Sequence, residues 1–152
     1  MTPMQVKKIF LVTTIIILGV VTIILTFSLF IVEKQHKENI VGVYNECCEM
    51  AQEALYNYLN TEDELYYEQL CDNIYAMTNI ALVLTKEADL RQINNDLIKS
   101  YSYLIDAPTE SVHYLDFLNE ALILYVREGN VEGLQVRLQS FNNRVHQEIK
   151  NK

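Results

Sequence analysis

Residues 9–32 read IFLVTTIIILGVVTIILTFSLFIV, a run of twenty-four residues without a charged side chain. A helix rises about 1.5 Å per residue, so a helix of this length spans the roughly 30 Å hydrocarbon core of a bilayer with some tilt. Inside lipid the backbone must satisfy its own hydrogen bonds, and a continuous apolar helix does so. The sequence therefore predicts a transmembrane helix over residues 9–32, with the lipid bilayer as its partner.

The length of this run favours an uncleaved signal-anchor over a cleaved signal peptide. A signal peptide has an apolar stretch of about 7 to 15 residues followed by a small-x-small cleavage site. Here the run is longer and ends in Phe-Ile-Val at residues 30–32. We expect a single-pass membrane protein.

The lysines that flank the run predict its orientation. Lys7 and Lys8 lie in a short basic tail, residues 1–8, that contains no acid, which favours a cytoplasmic N-terminus. Lys34 and Lys37 follow the run closely, so the two sides are nearly balanced. A short tail before a long C-terminal domain fits the topology in which that domain is extracytoplasmic, and this is the expected localisation.

The remaining residues, 33–152, are enough for one domain with a core of its own. This part contains all twenty Asp and Glu residues but ten of the twelve Lys and Arg residues, a net charge of −10. Such a surface repels the phosphates of nucleic acids, so we expect no nucleic-acid partner.

Apolar residues recur in residues 33–152 at spacings of three and four, the period of a helix. No segment alternates at period two for long enough to predict a strand. The fold class predicted is all-α, a single N-terminal transmembrane helix followed by an up-and-down bundle of four or five helices. Helix ends are predicted at residues 60–64, 106–108 and 129–130, and a bend or break near residues 86–91.

A tyrosine-rich and acidic turn follows the first helix of the bundle. Tyrosine offers amphipathic contact area, and neighbouring carboxylates favour a basic partner. The alternative is that the tyrosines pack in the core and the acids cap a helix. This turn, called the tip below, is the candidate surface for binding another protein, and it comprises Tyr56, Tyr58, Glu62, Asp63, Glu64, Tyr66, Tyr67 and Glu68.

Three cysteines allow one disulfide. If the first two helices form a hairpin, Cys48 and Cys71 fall at one level, and a disulfide between them would suit an extracytoplasmic domain. The alternative is that Cys47, Cys48 and Cys71 are small buried thiols. Too few further ligands surround them for a metal site.

The predicted transmembrane helix has one face of small residues. Gly19, Thr22 and Thr26 recur at spacings of three and four, and small faces of this kind let two helices approach closely. A homo-oligomer formed through this face is therefore a candidate arrangement.

No residue set predicts catalysis. Glu33-x-x-His36 and Glu110-x-x-His113 each match the i, i+3 element of di-iron carboxylate bundles, but matching core carboxylates on other helices are not apparent. Nucleophile–base pairs and glycine-rich phosphate loops are also not apparent. The prediction is a protein that is not an enzyme and uses no metal or cofactor.

Three functions remain open. The leading one is a membrane-anchored helical bundle that binds another protein or belongs to an envelope complex. In outline the architecture also resembles the extracytoplasmic four-helix ligand-binding modules of bacterial chemoreceptors and histidine kinases, which implies a small-molecule sensor. Residues 127–134 resemble the hairpin turn of tetratricopeptide repeats, which implies a scaffold of helical hairpins, although no 34-residue repeat accompanies them.

Overall fold

The computed structural model describes the backbone of residues 3–84 and 88–152, and the side chains of residues 17–83 and 93–152. These described residues contain helices and no strand, which confirms the all-α prediction. The helices are α1 (Pro3–Thr61), α2 (Glu64–Leu84), α3 (Ala88–Asp106), α4 (Pro108–Val112), α5 (Leu115–Glu128) and α6 (Val131–Lys150).

The chain divides into two compact units, and the division falls within α1. The first unit ends at Asn39, and every side chain that the structure describes in it is exposed. The second unit, Ile40–Lys152, contains the hydrophobic core.

The core of the second unit is built from the residues that recur at helical spacing. A helix that buries one face against its neighbours presents apolar residues three and four positions apart, and these are the residues found inside. Every helix of this unit except the short α4 contributes. The fully buried apolar residues include Cys48, Ala51, Leu55, Leu70, Ile74, Met77, Leu97, Leu118, Leu122, Leu134, Leu138 and Phe141.

The helix ends predicted at residues 60–64, 106–108 and 129–130 are confirmed, whereas the interruption between α4 and α5 at residues 113–114 was not predicted. Glu62, directly after α1, has a positive φ of 55°, and the Asp63 carboxylate accepts a hydrogen bond from the Leu65 N–H at the start of α2. Gly129 ends α5 in the left-handed conformation, with φ 61°, which glycine adopts without a Cβ clash. Asn130 then caps α6 by accepting from the Gly133 N–H at 2.8 Å.

The long stretch between residues 62 and 105 forms two helices. α2 ends at Leu84 and α3 begins at Ala88. Residues 85–87, which overlap the break predicted near residues 86–91, lie outside the described residues. Tyr67, near the start of α2, donates a hydrogen bond to the carbonyl of Leu104, near the end of α3. The two helices therefore run antiparallel.

Candidate functional site

The apolar segment of the first unit presents its side chains outward. From Ile17 to Val32 every residue is exposed, including Phe27 at 65% and Leu29 at 70%. The mean hydropathy of the apolar window is 2.1, and none of that window is buried. Large contiguous apolar surfaces are rare on soluble monomers. This helix is long and apolar enough to cross a membrane.

The two threonine hydroxyls of the small-residue face donate their hydrogen bonds within their own helix. The Thr22 hydroxyl donates to the carbonyl of Leu18, and the Thr26 hydroxyl donates to the carbonyl of Thr22, each at 2.8 Å. Apart from its chain neighbours and the adjacent backbone of α1, no described atom lies within 4 Å of a Cβ placed on Gly19. The hydroxyl donors of this face are therefore satisfied within the helix. Its use in helix pairing stays a prediction.

At the tip, two of the four tyrosines are held by packing within the bundle. The rings of Tyr58 and Tyr67 lie 5.2 Å apart, and the Tyr67 hydroxyl donates to the carbonyl of Leu104 at 2.8 Å. Burial raises the pKa of the Tyr67 hydroxyl well above its usual range. These two side chains join the helices and offer little surface to a partner.

The exposed surface of the tip combines apolar and acidic groups. Tyr56 is 58% exposed, Leu65 is 55% exposed, and Tyr66 is half-buried. The exposed acids around them are Glu62, Asp63, Glu64 and Glu68. Within the described part of the chain, no basic side chain pairs with these four carboxylates. Leu65 was not among the residues singled out from the sequence, because its place in the helical pattern does not by itself indicate exposure.

The cysteines are present as free thiols, with Cys48 and Cys71 buried and Cys47 half-buried. Burial raises the pKa of the Cys71 thiol to about 11 and raises the pKa of the Cys48 thiol further. A reactive cysteine needs the opposite change, because the thiolate is the nucleophile. The structure thus describes the buried-thiol form, and the Cys48–Cys71 disulfide stays a prediction.

A polar contact joins α3 to α6 within the largely apolar core. The Asn142 amide donates to the carbonyl of Asp96 at 2.9 Å, and the Ser100 hydroxyl lies 3.0 Å from Asn142 Oδ1. Gln139 donates from Nε2 to Asp96 Oδ2 at 3.0 Å. Asp96, Ser100 and Asn142 are all buried, so each hydrogen bond replaces one that water would otherwise make.

The α3–α6 contact was missed in the sequence, although a signal for it exists. Asp96, Ser100 and Tyr103 are spaced i, i+4, i+7 and so share one side of α3, and Asn142 and His146 do the same on α6. Polar residues at helical spacing are normally assigned to a solvated face. Two such stripes reveal a contact only when the pairing of the helices is known.

Near α4, Glu110 forms an ion pair and His113 forms a hydrogen bond with residues at the C-terminal end of the chain. Glu110 lies 2.7 Å from Lys152 Nζ, and His113 Nδ1 lies 2.9 Å from Glu148 Oε1. Glu110 and His113, the residues of the di-iron-like spacing, are thus each engaged by a different partner. Within the described residues, no three His, Cys, Asp or Glu side chains lie close enough together to hold a metal ion.

With this geometry in place, the chain was compared with protein-family models, curated proteins and solved structures, and none of the three comparisons finds a match.

Proposed function

We propose that this chain is a non-enzymatic, single-pass membrane protein whose helical bundle works by contacting another protein. The observation that carries the proposal is the exposed apolar helix, residues 17–32, with no buried residue in its apolar window. Exposing such a surface to water costs a free energy of about 25 cal/mol per Å² of apolar area. Contact with lipid tails removes that cost. A bilayer around residues 9–32 accounts for this surface.

The orientation that we propose places the N-terminus in the cytoplasm and the bundle outside it. Lys7 and Lys8 support it, because basic residues near a transmembrane helix are enriched on the cytoplasmic side. The net negative charge of the second unit does not oppose it, since acids contribute little to this rule.

Contact with a basic surface is the activity proposed for the tip. Its support is the combination of exposed Tyr56 and Leu65 with four carboxylates that no described base neutralises. Aromatic and apolar groups surrounded by charge are typical of protein interfaces, and the charges would steer a basic partner toward the tip. The buried thiols support the non-enzymatic part of the proposal, since their raised pKa values oppose nucleophilic use.

One experiment tests anchoring and orientation together. In a variant with Cys47, Cys48 and Cys71 replaced by alanine, a single cysteine is placed at Gln147, an exposed position of α6. A membrane-impermeant maleimide is applied to intact and to lysed cells after isolation of the membrane fraction. Equal labelling in both samples supports an external bundle. Labelling only after lysis contradicts the orientation, and loss of the chain from the membrane fraction contradicts the anchor.

A second experiment tests the tip. A photo-crosslinking amino acid at Tyr56 is expected to capture one partner, and the same group at Gln147 serves as the matched control. Replacing Glu62 and Glu64 by lysine reverses the local charge and should abolish capture at Tyr56. Capture that survives this reversal, or that occurs equally at Gln147, contradicts the proposed contact.

A further inference from the structure

A cleft lies between α3 and α6, beside the polar contact described above. Its volume is about 440 Å³, which is within the range of small-molecule sites. Every side chain that lines it carries a polar group, unlike those of the core that it adjoins. The residues that line it are Asp96, Lys99 and Tyr103 of α3 and Gln139, Asn142, Asn143 and His146 of α6.

The floor of the cleft is a buried carboxylate held in a fixed position. Asp96 is 7% exposed, and its Oδ2 accepts from the Gln139 amide at 3.0 Å. Asn142 holds the backbone carbonyl of the same residue, at 2.9 Å. Among the side chains that the structure describes, Gln139 alone donates to this carboxylate, and it does so through Oδ2.

The rim of the cleft supplies the opposite charge. Lys99 follows Asp96 by three residues, so both side chains project from the same side of α3. Lys99 is exposed and forms no ion pair within the described residues. The rings of Tyr103 and His146 lie 6.5 Å apart and place aromatic surface beside these charges.

We propose that this cleft binds a small zwitterion of the α-amino acid class, with its ammonium group on Asp96 and its carboxylate on Lys99. A simple anion would be repelled by the carboxylate of Asp96, and a simple cation would be repelled by the ammonium of Lys99. A purely apolar ligand would strip water from both charges without replacing it. Only a ligand that carries both charges satisfies both ends, and the cleft has room for its side chain. The proposal is independent of the tip and of the orientation in the membrane.

Binding is tested on the full chain in detergent micelles. The probes are the free L-amino acids with uncharged side chains, and methylamine and acetate serve as controls that each carry half of the zwitterion. At least one amino acid is expected to bind saturably by calorimetry and to raise the unfolding temperature, since a ligand of the native state stabilises it by mass action. Absence of binding by every amino acid overturns the proposal. Equal binding of methylamine or acetate overturns the zwitterion class.

Variants locate the binding in the cleft. Asp96→Asn keeps the shape and removes the negative charge, and Lys99→Met removes the positive charge from an exposed position. Each is expected to weaken binding about tenfold or more, the usual loss for a charge-assisted hydrogen bond. Asp106→Asn and Lys150→Met make the same charge changes at exposed positions outside the cleft and should leave affinity unchanged.

Should Asp96→Asn fail to fold, as judged by circular dichroism without probe, Lys99→Met decides alone. Lys99 is exposed and supports no described ion pair, so its replacement should leave the fold intact. Unchanged affinity in Lys99→Met overturns the proposal.

Discussion

The carbonyl of Leu104 lacks the partner that a helix normally provides, because the residue four positions later is Pro108 and has no N–H. The next available N–H, that of Ala107, donates to Tyr103 instead. Tyr67 reaches across from α2 and donates its hydroxyl to the orphaned oxygen. The Tyr67 side chain thereby gives the Leu104 carbonyl a hydrogen-bond donor and joins α2 to α3.

Replacing Tyr67 by phenylalanine keeps the ring and removes this bond. The free energy of unfolding should fall by about 1 to 3 kcal/mol, because a part-buried carbonyl is left unsatisfied. Denaturant titration of the full chain in detergent measures the change. Tyr66→Phe is the matched control, since no described hydrogen bond involves that hydroxyl, and its effect should stay within about 0.5 kcal/mol. Equal losses in both variants would contradict this role of Tyr67.

Replacing glycine by alanine is expected to have opposite effects on the free energy of unfolding at Gly129 and at Gly42. Gly129 has φ 61°, so alanine there places a Cβ in the left-handed region and should cost about 1 kcal/mol. Gly42 lies inside α1, and alanine there should stabilise by about 0.5 to 1 kcal/mol because it restricts the unfolded chain. Apart from chain neighbours and the adjacent helix backbone, no described atom lies within 4 Å of either added Cβ, so packing does not obscure the result. Thermal unfolding of the two variants should shift in opposite directions, and shifts of the same sign would contradict the argument.

Among the helices, α3 and α6 are joined by polar as well as apolar contacts. Asn142→Ala removes the hydrogen bond to the Asp96 carbonyl and the partner of Ser100 at a buried position. We expect a loss of about 2 kcal/mol in the free energy of unfolding. Asn143→Ala changes the next residue, which is exposed, and should alter stability by less than about 0.5 kcal/mol. A loss in Asn142→Ala no larger than that of Asn143→Ala would show that the polar contact contributes nothing.

The contact of α4 with the end of α6 should depend on acid pH. The Tyr114 hydroxyl lowers the pKa of the Glu148 carboxyl, and the Lys152 ammonium lowers the pKa of the Glu110 carboxyl. A carboxyl with a lowered pKa in the folded state contributes stability above its unfolded value, 4.5, and loses that contribution as the pH falls through the folded value. The unfolding temperature should therefore fall on acidification below about pH 4.5.

The variant Glu110→Gln with Glu148→Gln tests this pH dependence, because it removes both titrating groups. Thermal unfolding as a function of pH should show a smaller decrease below about pH 4.5 than in the natural chain. Tyr114→Phe removes one hydrogen bond to Glu148 and should reduce the decrease by a smaller amount. An unchanged pH profile in the double variant would contradict the assignment.

Most helices and helix ends could be predicted from the sequence because they depend on local chemistry, although the interruption between α4 and α5 was not predicted. The spacing of Leu70, Ile74 and Met77 identifies a buried helix face without knowledge of its partner, and Gly129 ends α5 through its own conformation. The α3–α6 cleft could not be predicted in the same way. Asp96 and Asn142 are separated by 46 residues, and their contact depends on how helices pair. The hydrogen bond of Tyr67 could not be predicted either, because the Leu104 carbonyl that accepts it is left free by Pro108, far from Tyr67 in sequence.

At the scale of the whole molecule, charge and hydropathy are segregated along the chain. The run of residues 9–32 has no charge, while residues 33–152 have a net charge of −10. Residues 9–32 therefore favour the lipid phase, and residues 33–152 favour water. This segregation predicts how the chain partitions between membrane and solution when either part is altered.

Two arginines at the centre of the apolar run should release the chain from the membrane. On the scale of insertion into the membrane, an arginine at the centre of a helix costs about 2.5 to 3.5 kcal/mol, so Val20→Arg with Ile24→Arg should cost about 6 kcal/mol or more. Extraction of membranes with alkaline carbonate measures the result, and we expect the natural chain to stay in the pellet and the double variant to leave it. Val43→Arg with Met50→Arg is the matched control, because those side chains are 48% and 57% exposed but belong to the second unit. If this control leaves the pellet as readily, or if the Val20 and Ile24 variant stays in it, residues 9–32 do not hold the protein in the bilayer.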